Sequence, residues 1–262
     1  MLPKVRGMQG EAMCEFIMEI AGRRVAVTCT FEKTRDFCHE YLAEDGPVDF
    51  SVEVLRDDVY AELEKSRIEA EVEGIPFVKF SAYDYEQSAL YRKLAEQLLT
   101  FDTLLFHGSA ISVDGEAYLF TATSGTGKST HTSFWRQTFG DRAVMVNDDK
   151  PLLRMIDGKV YVCGTPWNGK HGLGTKIMVP LKGLCILERA EENSIQPVTL
   201  PQVLPLLMQQ SFRPRNPASV HRVLELLSKL SESTGLYRLG CNLDPKAAMV
   251  AYQGMNRKDN EA

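Results

Sequence analysis

Ala117-Tyr118-Leu119-Phe120-Thr121-Ala122-Thr123-Ser124-Gly125-Thr126-Gly127-Lys128-Ser129-Thr130 decides how this chain is read. Ala117 to Thr121 is apolar and β-prone, and predicts a buried strand. Gly125 and Gly127 end it, because glycine alone turns freely through left-handed backbone. From Ser129 to Phe139 the pattern predicts a helix, closed by Gly140-Asp141. A tight loop between a strand and a helix start gathers backbone N–H groups into one concave space. The helix end adds about half a positive charge to that space.

Such a loop is a cradle for phosphate. Ser124, Gly125, Thr126, Gly127, Lys128, Ser129 and Thr130 are expected to hold ATP. Lys128 would reach the outer phosphates, and the Ser129 hydroxyl would ligate Mg2+. Ala122 stands where the usual pattern begins with Gly, which removes easy access to positive φ at that position. Downstream, Ala143-Val144-Met145-Val146 reads as a buried strand ending in Asn147-Asp148-Asp149. A carboxylate in that position is where a phosphate-loop enzyme holds its metal. Asp148 and Asp149 can divide two tasks, one on Mg2+ and one taking the proton of an attacking hydroxyl.

Farther out, Thr103 to Ile111 reads as one strand and turns back at Asp114-Gly115 into the strand that leads to the loop. A second hairpin is expected about Asp157-Gly158. Tight hairpins make antiparallel neighbours. The fold class is therefore α/β, with a mixed parallel and antiparallel sheet around the phosphate loop. Residues 86–255 form the expected catalytic domain, 1–85 a smaller α+β region, and 256–262 a polar tail. In the N-terminal region two strands meet at Ala21-Gly22-Arg23, Phe31 to Leu42 suggests a helix, and Val48 to Val54 alternates like a strand. The charge-rich run from Asp57 to Glu73 reads as a solvated face, and Leu90, Leu94 and Leu98 at helical spacing predict a helix from Ser88 to Leu99.

The strand Leu105-Phe106-His107-Gly108-Ser109-Ala110, the loop Thr123 to Thr130 and the pair Asp148-Asp149 together resemble the HPr kinase/phosphorylase-related branch of the phosphoenolpyruvate carboxykinase-like superfamily. Gly164-Thr165-Pro166-Trp167 is also familiar there. The resemblance implies an ATP- and Mg2+-dependent kinase acting on a peptide, a protein or a small hydroxylated molecule. It implies that one of Asp148 and Asp149 is the general base. It would put His107 beside the transferred phosphate, although the residues alone leave His107 open as a core histidine. It would also make the chain a homo-oligomer.

On the substrate side, the Gly-rich run Gly164 to Gly174 suggests a lip, with Trp167 closing over a ligand and Lys170, His171 and Lys176 bringing charge. Arg213 offers a planar fork suited to an oxyanion. The leading expectation is phosphate transfer to a Ser or Thr of a peptide or protein. The alternatives are a kinase of a free amino acid or sugar, and an ATP-binding regulator without transfer. A net charge of -5 argues against a nucleic-acid binder. The six cysteines lack metal-site spacing and read as buried thiols of a reducing cytosol. No apolar stretch is long enough for a bilayer, so no membrane is expected and the location is expected to be cytoplasmic.

Overall fold

The computed structural model of the chain describes residues 13–123 and 125–257. They form two compact units that divide between Leu94 and Ala95. Among the described residues no helix is long and apolar enough to cross a membrane.

The first unit holds β1 (Cys14–Ile20), β2 (Arg23–Cys29), α1 (Glu32–Phe37), β3 (Leu42–Ala43), β4 (Phe50–Glu53) and α2 (Arg56–Glu73). Its sheet has the order β3-β1-β2-β4, with β1 and β2 antiparallel and β4 parallel to β2. Ala21 and Gly22 both take positive φ, as the tight hairpin requires. The helix expected from Phe31 to Leu42 stops at Phe37, and a short 3-10 turn covers His39–Tyr41. The charged run from Asp57 to Glu73 is a helix, which the sequence reading did not anticipate. Its hydrophobic pattern is too weak to show, since it buries only Val59 and Ala70. Next comes α3 (Ala82–Leu98), which starts well before the expected Ser88. Ser81 and Asp84 explain the early start: each accepts the other's backbone N–H, at 3.3 and 2.9 Å, as a capping box does.

The second unit contains β5 (Thr103–Leu105), β6 (Ser109–Val113), β7 (Glu116–Thr121), α4 (Lys128–Phe139), β8 (Ala143–Asn147), β9 (Leu152–Ile156), β10 (Lys159–Cys163) and β11 (Met178–Arg189). It ends with β12 (Ser194–Pro197), α5 (Leu200–Gln210), α6 (Pro217–Ser233), β13 (Gly235–Cys241) and α7 (Lys246–Asn256). The sheet is mixed, as expected. One path runs β5-β9-β10-β11-β7-β6-β8, and β13 pairs with β11 and β12. The hairpin turns Asp114-Gly115 and Asp157-Gly158 take positive φ at both residues. Strands β7, β11 and β13 are mutually parallel, and β6 is antiparallel to both β7 and β8. Hence β7, β8, β11 and β13 all end on the same edge.

The strand expected from Thr103 to Ile111 is broken. Leu104 pairs with β9, whereas Ala110 pairs with β7. Gly108 sits at the break, where an added Cβ would lie 2.8 Å from the Phe120 carbonyl oxygen and 2.9 Å from Leu119. Only a residue without a side chain lets the crossing lie this close.

The core beside the site joins Tyr118 and Phe120 of β7, Cys185 and Leu187 of β11, and Leu239 of β13 to Trp135 and Phe139 of α4 and Ala248, Ala251 and Met255 of α7. This packing anchors the first turn of α4 at the strand ends. Helix α6 buries Val223, Leu226, Leu227 and Leu230, and packs on β5, β9, β10 and β13.

Candidate functional site

The loop between β7 and α4 is shaped by glycine. Gly125 has φ of 76° and Gly127, the residue before the helix, has φ of 114°. Ala122 is not among the residues with positive φ and is fully buried in the core, so the missing glycine costs the loop nothing. Thr126 closes the loop by donating from N and from Oγ1 to the Thr123 carbonyl, at 3.3 and 2.9 Å. Ser124 lies outside the described residues. Ser129 and Thr130 are exposed at the start of α4, and Lys128 is half-buried.

Asp148 and Asp149 follow β8 on the same edge, and they differ in setting. Asp148 is buried and accepts a 2.5 Å hydrogen bond from Ser109 Oγ. Ser109 Oγ, its own hydrogen given to Asp148, accepts from Thr132 Oγ1 at 2.9 Å, and Thr132 Oγ1 also lies within 3.3 Å of the Lys128 and Ser129 carbonyls of the first turn. A chain of hydroxyls thus ties Asp148 to the first turn of α4. Asp149 is a third exposed, with Oδ1 3.3 Å from His107 Nε2 and 3.5 Å from Lys150 Nζ.

His107 therefore stands in the same cluster as Asp149 and is partly exposed rather than enclosed in the core. Its backbone N–H donates to the Gln210 carbonyl at 2.6 Å, and the next N–H, of Gly108, donates to the Asp149 carbonyl at 3.1 Å. Burial first, then the Lys150 and Lys128 charges, pull its imidazole down to about 4, against Asp149 and a Gln210 hydrogen bond. At neutral pH the ring is uncharged. Lys128 is also pulled below the usual lysine range, by burial first, with Lys150 adding to the pull and Asp149 and Asp148 opposing it. The five groups share one electrostatic field.

Asn147 fixes the turn that aims the acid pair. Its Oδ1 accepts from the backbone N–H of Asp149 and Lys150, at 2.9 and 2.6 Å. Its Nδ2 donates to Thr165 Oγ1 at 3.0 Å and to Asn168 Oδ1 at 2.8 Å. The Gly164–Gly174 loop is thereby held against the acids. A Cβ on Gly169 would lie 3.2 Å from that of Asp149 and 3.4 Å from the Asp148 carbonyl oxygen. Within the loop Trp167 is partly buried, and Lys170 and His171 are exposed, as is Lys176 just after it. Arg213 is exposed and follows the Gln210–Phe212 segment that bonds to Leu105 and His107.

Sequence reading missed Ser109, Thr132, Lys150 and Gln210 as parts of this cluster, and treated Asn147 as a strand end. Only Asn147 carried a signal, since Asn before a turn bonds its own backbone onward.

On the other side of the loop a cleft of about 670 Å3 is bounded by Gly127, His131, Phe134, Arg189, Asn242 and Leu243. Arg189 closes it toward the loop, donating from Nη2 to the Gly125 carbonyl at 2.9 Å. Clefts at the carboxyl ends of parallel strands are where α/β sheets take ligands. Among the described residues no group of three or more His, Cys, Asp or Glu side chains is arranged to hold a metal ion. A metal here would need oxygens from a bound molecule besides the two carboxylates and Ser129. Mg2+ is commonly held in that way.

No protein-family model and no curated protein matches the chain. Among solved structures it is similar to the Hpr(Ser) kinase/phosphatase from Coxiella burnetii, with a TM-score of 0.31 and 8% sequence identity over 56% of this chain and 91% of that one. So distant a likeness does not assign the chain to that family.

Proposed function

We propose that the chain is an ATP- and Mg2+-dependent kinase that transfers the terminal phosphate to a hydroxyl, on a Ser or Thr of a peptide or protein. One observation carries this reading: Lys128 on the glycine loop and Asp148 and Asp149 on the end of β8 stand in one field with His107 and Lys150. Phosphoryl transfer asks little covalent chemistry of a protein; it asks for charge held in position.

The loop N–H groups and the α4 N-terminus would take the phosphates, with Lys128 on the outermost. The nucleoside would enter the cleft between Phe134 and Leu243. Asp148 and Ser129 would hold Mg2+, for which their hard oxygens are suited, and which would offset phosphate charge and orient the group transferred. Asp148 fits the metal side because Ser109 ties it to the turn that carries Ser129. Asp149 fits the proton acceptor, because it is the more open of the two and has a neutral imidazole and Lys150 beside it. Lys150 would add charge opposite the transferring group. A regulator that never transfers phosphate would not need all of these groups assembled.

Labelled ATP, offered with peptide pools and with free amino acids and sugars, tests the reading. Asp149→Asn is expected to keep ATP binding and to lose transfer by about 10²–10⁴-fold. Asp148→Asn should lose transfer together with the Mg2+ dependence of binding. Full transfer in both variants would remove the mechanism. Transfer to free metabolites alone would move the acceptor from peptide to small molecule.

A further inference from the structure

The first unit presents a surface that its own fold leaves unsatisfied in two ways. From Val72 to Phe80 every residue is exposed, and five are large and apolar: Val72, Ile75, Phe77, Val78 and Phe80. Val72 is 81% exposed and Val78 61%. Single exposed apolar side chains are ordinary on a protein surface, but a contiguous group marks an interaction site. Residues 75–80 belong to no helix or strand.

The charge beside this row is also wrong for an isolated helix. The last turn of α2 carries Glu71 and Glu73, preceded by Glu69, and no basic residue. The carbonyls there already bear about half a negative charge, so acidic side chains repel them. Across its length α2 has seven acidic residues against three basic ones. Glu62, Glu64, Glu69 and Asp58 have ion-pair partners, whereas among the described residues no cationic group lies within 4 Å of Glu71 or Glu73, and Arg67, already paired with Glu64, acts on Glu71 only from farther off. An apolar row flanked by carboxylates without a close ion-pair partner calls for a ligand that brings both apolar side chains and positive charge.

We propose that the surface formed by Glu71, Val72, Glu73, Ile75, Val78 and their neighbours docks a cationic peptide segment with interspersed apolar side chains, the recognition stretch of the acceptor. The proposal deepens the kinase reading and rests on it for the peptide's role, though not for its binding. Apolar side chains of the peptide would cover Val72, Ile75 and Val78, and Lys or Arg would lie over Glu71 and Glu73 and the α2 carbonyls. A nucleic acid or an acidic peptide would be repelled by the same carboxylates.

Fluorescence anisotropy of a labelled synthetic peptide alternating Lys and Leu, titrated with the full-length protein without nucleotide, tests this. Saturable binding that weakens as ionic strength rises is expected. Val72→Ser/Ile75→Ser/Val78→Ser should weaken it by about tenfold or more. Glu71→Gln/Glu73→Gln should weaken it at low salt and flatten its salt dependence. These side chains are exposed, so both variants should fold, as far-UV circular dichroism would verify; the glutamine variant makes the lesser change. An alternating Glu and Leu peptide should not bind. No binding by the unmodified protein, equal binding of the acidic peptide, or unchanged affinity in both variants overturns the proposal. So does self-association that the serine variant abolishes, which would put a second copy on the patch. A protein that binds the peptide yet transfers phosphate to no hydroxyl in the labelled-ATP assay would fail the kinase reading and keep this docking surface.

Discussion

His131 and Trp135 show how a single residue supports the site without facing the chemistry. The Trp135 indole N–H can only donate, and it does so to His131 Nε2 at 3.0 Å. The imidazole must therefore be neutral on that side, and burial holds its pKa down to about 4. Its ring also packs on Phe120, 4.6 Å between centroids. The pair thus fixes the second turn of α4 to β7, one turn beyond Lys128 and Ser129. His131→Leu should leave a buried donor unpaired and cost about 1–3 kcal/mol in urea unfolding. His131→Gln, which offers an oxygen in place of the nitrogen, should recover part of that loss. If the leucine variant unfolds like the parent protein, the hydrogen bond does not hold the helix. Nothing in the sequence distinguished His131 from a surface histidine, because its partner is one helical turn away and its burial is set by strands elsewhere in the chain. For His107 only the family resemblance pointed to the site, because its neighbours Asp149, Lys150 and Gln210 come from distant positions.

Among the elements, what the sequence made legible was local. Asp-Gly turns with positive φ predicted the hairpins, and the glycine loop predicted a strand-to-helix junction. The early start of α3 was also local, in Ser81 and Asp84, and was passed over because the apolar repeat begins later. What stayed hidden was the break between β5 and β6. Apolar Leu104, Leu105, Phe106, Ala110 and Ile111 look continuous, and the reason for the break is the nearness of β7. Gly108→Ala tests that reason. The new methyl would meet the Phe120 carbonyl oxygen at 2.8 Å, and backbone cannot swing aside as a flexible side chain would. A cost of about 1–3 kcal/mol is expected from such overpacking. Because Gly108 N–H bonds the Asp149 carbonyl, transfer should fall with stability, while ATP binding in the cleft on the other side of the glycine loop is retained. A variant with parental stability and activity would mean that the crossing has slack.

At the scale of the molecule, the mixed sheet was legible because two hairpins flank the loop. That four strands end together on one edge was not, since strand order depends on long-range pairings such as β11 with β7 and β13. That shared edge is what makes stability and ligand binding one question. Lys128 is half-buried, and burial, net of its charged neighbours, disfavours its ammonium in the folded protein. Without a ligand, Lys128→Met should therefore be at least as stable as the parent. A ligand that binds only the folded state adds stability, about 2.7 kcal/mol at a hundredfold excess over its Kd. For a chain of this size that is a rise in Tm of about 5–10 °C. With Mg2+ and ATP the parent protein should show this rise, and Lys128→Met should show little of it. The two curves should then cross: the variant at or above the parent in Tm without nucleotide, and below it with nucleotide. An unchanged parent Tm at saturating Mg2+ and ATP would remove the nucleotide from the site and the kinase reading with it. An equal rise in both proteins would keep the nucleotide and take the phosphate contact away from Lys128.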